Sequence, residues 1–343
     1  MKYSEAITKS HTKMLSSDKG IILGQGISDF KGMWGTTIEI FKKYPNKVID
    51  TPIAEDSIAG ICVGLALNGF YPINTHIRAD FSLLIFNQLV NLIAKYRYMY
   101  GGNFHLPMLF RLVIGRSWGQ GAQHSQSLQS MLAHIPGLTV IMPSNAASLY
   151  NSYTYAFKKF KNPIISFEHR LLYDLNFNLN SNLNNKTPLD TFIAKKGNAV
   201  TVIATSIMVL ESIRAAEYLE KYGIKIEVID LHNVSNPNFN LILKSIKKTQ
   251  LLIVADTSWT HYGVASEISR IILEKNHSIL RKNQINLGMA FCTCPTAKKL
   301  EDLFYPGMYE IIFNVLKLLD NKDIPLPPKQ SMTDYYKYFK GPF

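Results

Sequence analysis

The chain has 343 residues, 47% of them hydrophobic and 18% charged, with a formal net charge of +12. That length predicts about two domains, and that composition excludes a disordered or fibrous chain. Three cysteines, Cys62, Cys292 and Cys294, are too few for a disulfide scaffold and lack zinc-ribbon spacing. No run of about 18 apolar residues is present to span a membrane. The basic residues are scattered in short pairs such as Lys42-Lys43 and Lys247-Lys248, which argues against nucleic acid as a partner. With no charged-then-apolar leader at the start, a reduced, cytoplasmic enzyme is the expectation.

In chain order, residues 4–15 have helical spacing, with Ala6, Ile7, Met14 and Leu15 on one side. Residues 20–24 read as a short buried strand ending in glycine, and 48–53 as another. Residues 57–69 carry a helical period through Ile58, Ile61, Cys62 and Leu65. Residues 72–77 are strand-like. Residues 82–99 predict one long helix with Leu83, Phe86, Leu89, Val90, Ile93 and Tyr96 facing inward. The apolar runs 109–114 and 138–142, bounded by Gly and Pro, suit strands buried on both faces of a parallel sheet. A helix over 146–158 and a strand over 164–167 complete a first α/β domain, residues 1–175.

The Asn-rich stretch from 176 leads a linker to residue 195. A second alternation follows: strands at 199–204, 224–231 and 251–254, and helices at 207–222, 238–248 and 263–274. Residues 196–343 are therefore a second three-layer α/β domain with a C-terminal tail. That tail, Tyr335-Tyr336-Lys337-Tyr338-Phe339, is expected to pack on a surface or a partner.

Three segments could carry chemistry. In Thr51-Pro52-Ile53-Ala54-Glu55-Asp56 a strand ends and a helix of small residues begins. Glu55 then sits at the carboxyl edge of a parallel sheet, where ligands of such folds bind. An ordinary acidic residue at a helix N-terminus reads the same way locally. The loop Gly115-Arg116-Ser117-Trp118-Gly119-Gln120-Gly121-Ala122-Gln123-His124-Ser125-Gln126 follows a buried strand. Its glycines permit close backbone approach, and His124 can act as acid, base or donor near neutral pH. It is neither a dinucleotide fingerprint nor a phosphate-binding P-loop. Arg78-Ala79-Asp80-Phe81 lies between a strand and a helix, where Phe81 could offer a ring face to a planar ligand or fill the core.

Taken together, spaced motifs from Gly24 through Asp50-Thr51-Pro52-Ile53-Ala54-Glu55, Gly60…Gly64…Gly69, Asp80-Phe81, Gly121-x-x-His124-Ser125-Gln126, His134-x-Pro136-Gly137 and Glu168-His169-Arg170 to Pro295-Thr296 resemble a known family. It is the beta subunit of the thiamin-diphosphate-dependent first component of 2-oxo acid dehydrogenase complexes. The resemblance spans about residues 4–320. It implies an N-terminal pyrimidine-binding domain and a C-terminal transketolase-like domain. By resemblance, Glu55 hydrogen-bonds a ring nitrogen of the cofactor's aminopyrimidine and promotes loss of the thiazolium proton. Phe81 matches the aromatic that stacks on that ring. His124 matches the loop histidine that donates a proton or orients substrate, with Gln123 a weaker candidate beside it.

The family holds magnesium and diphosphate through a Gly-Asp-Gly motif, which this chain lacks. The resemblance thus implies an alpha subunit carrying the diphosphate and magnesium, a second copy of this chain across its C-terminal domain, and a lipoyl-bearing acyltransferase. Two departures bear on this. Gly24-Gln25-Gly26 lacks the acidic residues usual after the first glycine. Arg78, Arg116 and Trp118 make the substrate loop bulky and cationic. Arginines there would suit a carboxylate or phosphate, which motivates a carboligase or ketol transferase as the competing reading. A non-catalytic scaffold is the third.

Overall fold

The computed structural model describes residues 1–115, 119–178, 188–276 and 278–336. Among these, six parallel strands form the first sheet: β1 (Gly20–Gly24), β2 (Val48–Asp50), β3 (Tyr71–His76), β4 (Leu109–Ile114), β5 (Thr139–Ile141) and β6 (Ile164–His169). Their order is β2-β1-β3-β4-β6-β5. The central strands β3, β4 and β6 are buried along their whole length, as covered parallel strands must be. The apolar alternation of α1 (Tyr3–Leu15) buries Tyr3, Ala6, Ile7, Met14 and Leu15. It packs beside α3 (Ala146–Lys159), whose N-cap Asn145 accepts hydrogen bonds from Ala147 N at 3.0 Å and Ser148 N at 2.9 Å. Such a cap satisfies backbone donors that a helix start leaves free. Between them in sequence, α2 (Glu55–Leu67) covers β3.

Inside this domain lies a buried ion pair. Arg111 on β4 donates to both oxygens of Glu168 on β6, at 2.7 and 2.8 Å. Tyr153 donates to the same carboxylate at 2.5 Å, and Tyr173 donates to its other oxygen. Burial and the Glu168 charge push both phenols well above their ordinary value. The bidentate fork with added hydroxyl donors is the arrangement that makes two buried charges tolerable.

The second sheet comprises β7 (Phe192–Lys195), β8 (Thr201–Ala204), β9 (Glu227–Asp230), β10 (Leu252–Trp259) and β11 (Ile285–Met289), in the order β11-β10-β8-β9-β7. Only β7 runs antiparallel to its neighbour among these described strands. Helices α4 (Ile207–Glu220), α5 (Phe239–Thr249), α6 (Val264–Asn276) and α7 (Met308–Leu318) surround it.

Four expectations need correction. The stretch 82–99 is not one helix. It is a 3-10 segment Ala79–Ile85, a π segment Gln88–Ile93 and a short helix Tyr96–Met99. Leu83 is accordingly 43% exposed instead of facing inward. Ile61, too, is half-exposed on α2. Finally, 192–195 is not linker but β7, the edge strand of the second sheet; its antiparallel pairing needs no crossover helix, so nothing periodic announces it. The part of the linker at 179–187 lies outside the described residues, as do tail residues 337–343.

Polar contacts fasten the two domains. Gln129 Nε2 donates to Asp256 Oδ1 at 2.8 Å, and Ser258 Oγ donates to the Ser127 carbonyl at 2.7 Å. Ser127 and Thr257 share a hydroxyl contact at 3.1 Å. On the other flank Met142 N donates to the His232 carbonyl at 2.7 Å, and the Ser144 hydroxyl donates to Asp230. Burial raises both Asp230, to about 7, and Asp256. The tail closes back on α4: Tyr336 donates to Glu211 Oε1 at 2.7 Å.

Candidate active site

The site is built where β1, β2 and β3 end. Their register sets Gly24 beside both Asp50 and Thr75. A Cβ on Gly24 would lie 2.0 Å from Thr75 Oγ1 and 2.9 Å from its carbonyl oxygen, so only glycine lets these strands close. From this edge the chain turns into α2, and the first residue of that helix is Glu55.

Glu55 is half-buried. Gln25, directly after Gly24, donates from Nε2 to Glu55 Oε1 at 3.1 Å. Glu55, Gln25 and Phe81 line one pocket, and β3 contributes Asn74, Thr75 and His76 to its wall. Asn74 Nδ2 is turned toward Cys62 Sγ at 3.8 Å, and Asn74 Oδ1 and His76 Nε2 are buried without a hydrogen-bond partner among the described residues. Burial holds the His76 imidazole down, to about 4, against the opposing pull of the Glu55 carboxylate. At ordinary pH His76 is therefore a neutral ring.

Phe81 meets His124 edge to face, with ring centroids 5.4 Å apart and planes at 78°. Both are half-buried. The loop bearing His124 is pinned on three sides. Gln126 donates to Asp80 Oδ1 from N at 3.1 Å and from Nε2 at 3.0 Å. Arg78 Nε donates to Gln120 Oε1 at 3.1 Å, and its Nη1 to the Gly115 carbonyl at 2.9 Å. The third attachment is the contact of Ser127 with the second domain described above. Burial raises the Asp80 carboxyl and lowers the Arg78 guanidinium, to about 10.

The structure thus brings Glu55, Phe81 and His124 to one edge of the first sheet. It places Arg78 differently from the sequence expectation: the side chain is buried and ties down the loop backbone. Its guanidinium also lies 5.9 Å from the Trp34 ring, and Arg170 stands over the same ring at 5.1 Å. Gln123 is exposed. Arg116 and Trp118 lie outside the described residues.

Sequence reasoning missed Gln25 as a contact of Glu55, and Asn74 and His76 as pocket residues. A signal existed for the latter pair: Asn74-Thr75-His76 is a polar run at the end of a strand otherwise patterned for full burial.

Residues 1–175 match the family model of the transketolase pyrimidine binding domain, and residues 191–311 that of the transketolase C-terminal domain. The fold agrees. A split-gene transketolase, an inactive beta4 tetramer, superposes with a TM-score of 0.74 at 20% identity, covering 93% of this chain and 98% of that one. The chain is therefore a two-domain protein of the transketolase type. More narrowly, it belongs to the family of pyruvate dehydrogenase E1 component beta subunits. It is 33% identical over 323 residues to the mitochondrial subunit of Bos taurus, covering 92% of this chain and 90% of the relative. Against the subunit of Rickettsia bellii the identity is 31% over 307 residues, covering 89% and 94%.

Proposed function

We propose that this chain is the beta subunit of a thiamin-diphosphate-dependent enzyme that decarboxylates a 2-oxo acid and passes the acyl unit to a lipoyl group. The observation that carries the reading is one carboxylate and one aromatic ring, Glu55 and Phe81, facing a single pocket, with His124 against the ring. The donor set fits the pyrimidine half of the cofactor: a carboxylate for a ring nitrogen, an aromatic ring beside it, and buried polar atoms of Asn74 and His76 without hydrogen-bond partners among the described residues. Bound thiamin diphosphate supplies the carbon nucleophile and the electron sink for decarboxylation.

The chain's own residues orient and manage protons. Glu55 would hold the pyrimidine ring nitrogen of the cofactor by a carboxyl hydrogen bond. Phe81 offers its face to the ring. His124, edge to face with Phe81, would donate to or orient the substrate, positioned by the loop that Arg78, Asp80 and Ser127 fix. The diphosphate and its magnesium belong, in this reading, to an alpha subunit, because this sequence has no Gly-Asp-Gly. The assembly expected is two alpha and two beta chains. The tethering of Arg78 to the loop backbone removes one motive for the ketol-transferase alternative.

The test is calorimetric binding of thiamin diphosphate and magnesium to the chain alone and with its alpha partner, followed by turnover of 2-oxo acids with a lipoyl acceptor. Tight binding only in the mixture is expected. A Glu55→Gln variant with unchanged turnover in the reconstituted enzyme would refute the reading.

A further inference from the structure

Glu55 has neutral neighbours, and one of them is aimed at it. Among the described residues, Gln25 is the side chain that hydrogen-bonds its carboxylate, at 3.1 Å. The aim is set from β2. Asp50, level with Gly24 across the sheet, accepts from Gly26 N at 2.9 Å, from Ser28 N at 3.2 Å and from Ser28 Oγ at 2.7 Å. Those bonds curl the chain just after Gln25 around a single carboxylate and keep the Asp50 charge occupied with the loop. They also hold Asp50 below its usual carboxylate range, against the cost of burial.

The other charged or titratable groups around Glu55 are accounted for in the same way. His76, on β3, is neutral at ordinary pH because it is buried. Asp56, the next residue of α2, is exposed. Asp80, beyond β3, is engaged with Gln126. His124 faces Phe81. Among the described residues lining the pocket, Glu55 is the one carboxylate.

We propose that Gln25 is a positioning residue for Glu55: its neutral amide donates to one carboxylate oxygen and fixes the carboxyl without placing a second acid beside it. The inference rests on the function proposed above and deepens it. A carboxylate in place of the amide would set two acids about 3 Å apart, which cannot both ionise freely and would share a proton. A neutral donor orients the carboxyl without that coupling.

The experiment uses the chain assembled with its alpha partner and compares wild type, Gln25→Glu, Gln25→Leu and Glu55→Gln. Two readouts apart from turnover are followed across pH: the dissociation constant of thiamin diphosphate, and the rate at which the thiazolium C2 proton of the bound cofactor exchanges with deuterium, measured by NMR after acid quench. Gln25→Leu, which keeps the bulk and loses the donor, should slow exchange about tenfold, in line with a lost hydrogen bond to a charged group, with the shape of its pH profile unchanged. Gln25→Glu should move the midpoint of the exchange profile upward by about one pH unit or more. A purely structural role would slow both variants alike and shift neither midpoint, and that result overturns the proposal.

Wild-type exchange in both Gln25 variants, with exchange abolished in Glu55→Gln, also overturns it while leaving the function standing. Unaltered exchange in Glu55→Gln removes the function and the proposal together. Thermal unfolding of each free chain guards against misfolding. Should Gln25→Leu fail to fold, the near-isosteric Gln25→Glu decides alone.

Discussion

Replacing Asp230 by Asn should make the protein more resistant to unfolding as pH rises. Asp230 ends β9, fully buried, and takes hydrogen bonds from the Ser144 hydroxyl of the first domain and from His232 N at 2.9 Å. Burial outweighs both bonds and lifts its pKa from 3.8 to about 7. A carboxyl whose folded pKa is raised favours the protonated, folded form. It therefore costs nothing below its unfolded pKa, and its penalty grows as pH rises until the folded pKa is passed. Between about pH 5 and about pH 8 the added penalty comes to roughly 1–3 kcal/mol, the span reflecting about one unit in the folded value. Asparagine keeps one oxygen for His232 N, turns its amide N–H toward the Ser144 hydroxyl oxygen, which can accept it, and does not ionise. The assay is urea unfolding of both proteins at the two pH values. Wild type should lose roughly 1–3 kcal/mol more than Asp230→Asn on going from the lower to the higher. Parallel losses, within about 0.5 kcal/mol, would refute the reasoning, since nothing else in the comparison separates the two proteins at that group.

Three further outcomes are expected. Glu168→Gln leaves the Arg111 guanidinium, itself 0% exposed, without its buried counter-charge and should destabilise the chain by about 3–5 kcal/mol in urea unfolding, with Arg111→Met in the same chain recovering part of the loss. Phe81→Ala should weaken thiamin diphosphate binding to the assembled enzyme by about tenfold, the worth of an aromatic contact plus some lost burial, as read by calorimetry. Gln129→Leu takes one donor from Asp256 and should destabilise by about 1–3 kcal/mol, with protease cleavage within residues 119–127 rising before global unfolding.

How much of this was legible in the sequence depended on whether a signal is local. Buried parallel strands announce themselves as apolar runs, so 109–114 was found at its observed bounds. Helices with one buried stripe, such as α1 and α3, were found within a residue or two. The segment 82–99 has the right apolar content for a helix, yet the chain changes its hydrogen-bond spacing twice there, and composition does not record that spacing. The strand β11 went unread because only Met289 of its five residues is buried, so no apolar run marks it, whereas helix α7 was legible and missed: Ile311, Ile312, Val315 and Leu316 recur at helical spacing. At the site, Glu55, Phe81 and His124 were found because a resemblance ties distant motifs together. Gln25 was noticed only as a missing acid. Its contact with Glu55 spans 30 positions and depends on strand register, which no local pattern states.

The position of His124 shows why the second domain matters to chemistry in the first. Its loop leaves β4 at a glycine and is held near its start by Arg78, through Gly115 and Gln120, and near its end by Asp80, through Gln126, both residues of the same domain. At the other end Ser127 and Gln129 reach across to Ser258, Thr257 and Asp256 at the end of β10. The carboxyl edge of the second sheet therefore acts as an anchor for a loop belonging to the first. Each main core cluster also contains residues of both domains, so apolar packing resists their separation while the polar contacts fix the register. Interdomain contacts of this kind are usually more polar and more mobile than a core. Here the buried carboxyls of Asp230 and Asp256 make docking specific at some cost in stability, a trade seen where buried polar groups define one arrangement. Loosening the domain contact should then move His124 relative to Phe81 before it disturbs Glu55, which is held at the end of β1 to β3 and by the helix it begins, within the first domain. Activity steps that depend on His124 should fail first as the domains are weakened, and cofactor-ring contacts through Glu55 last.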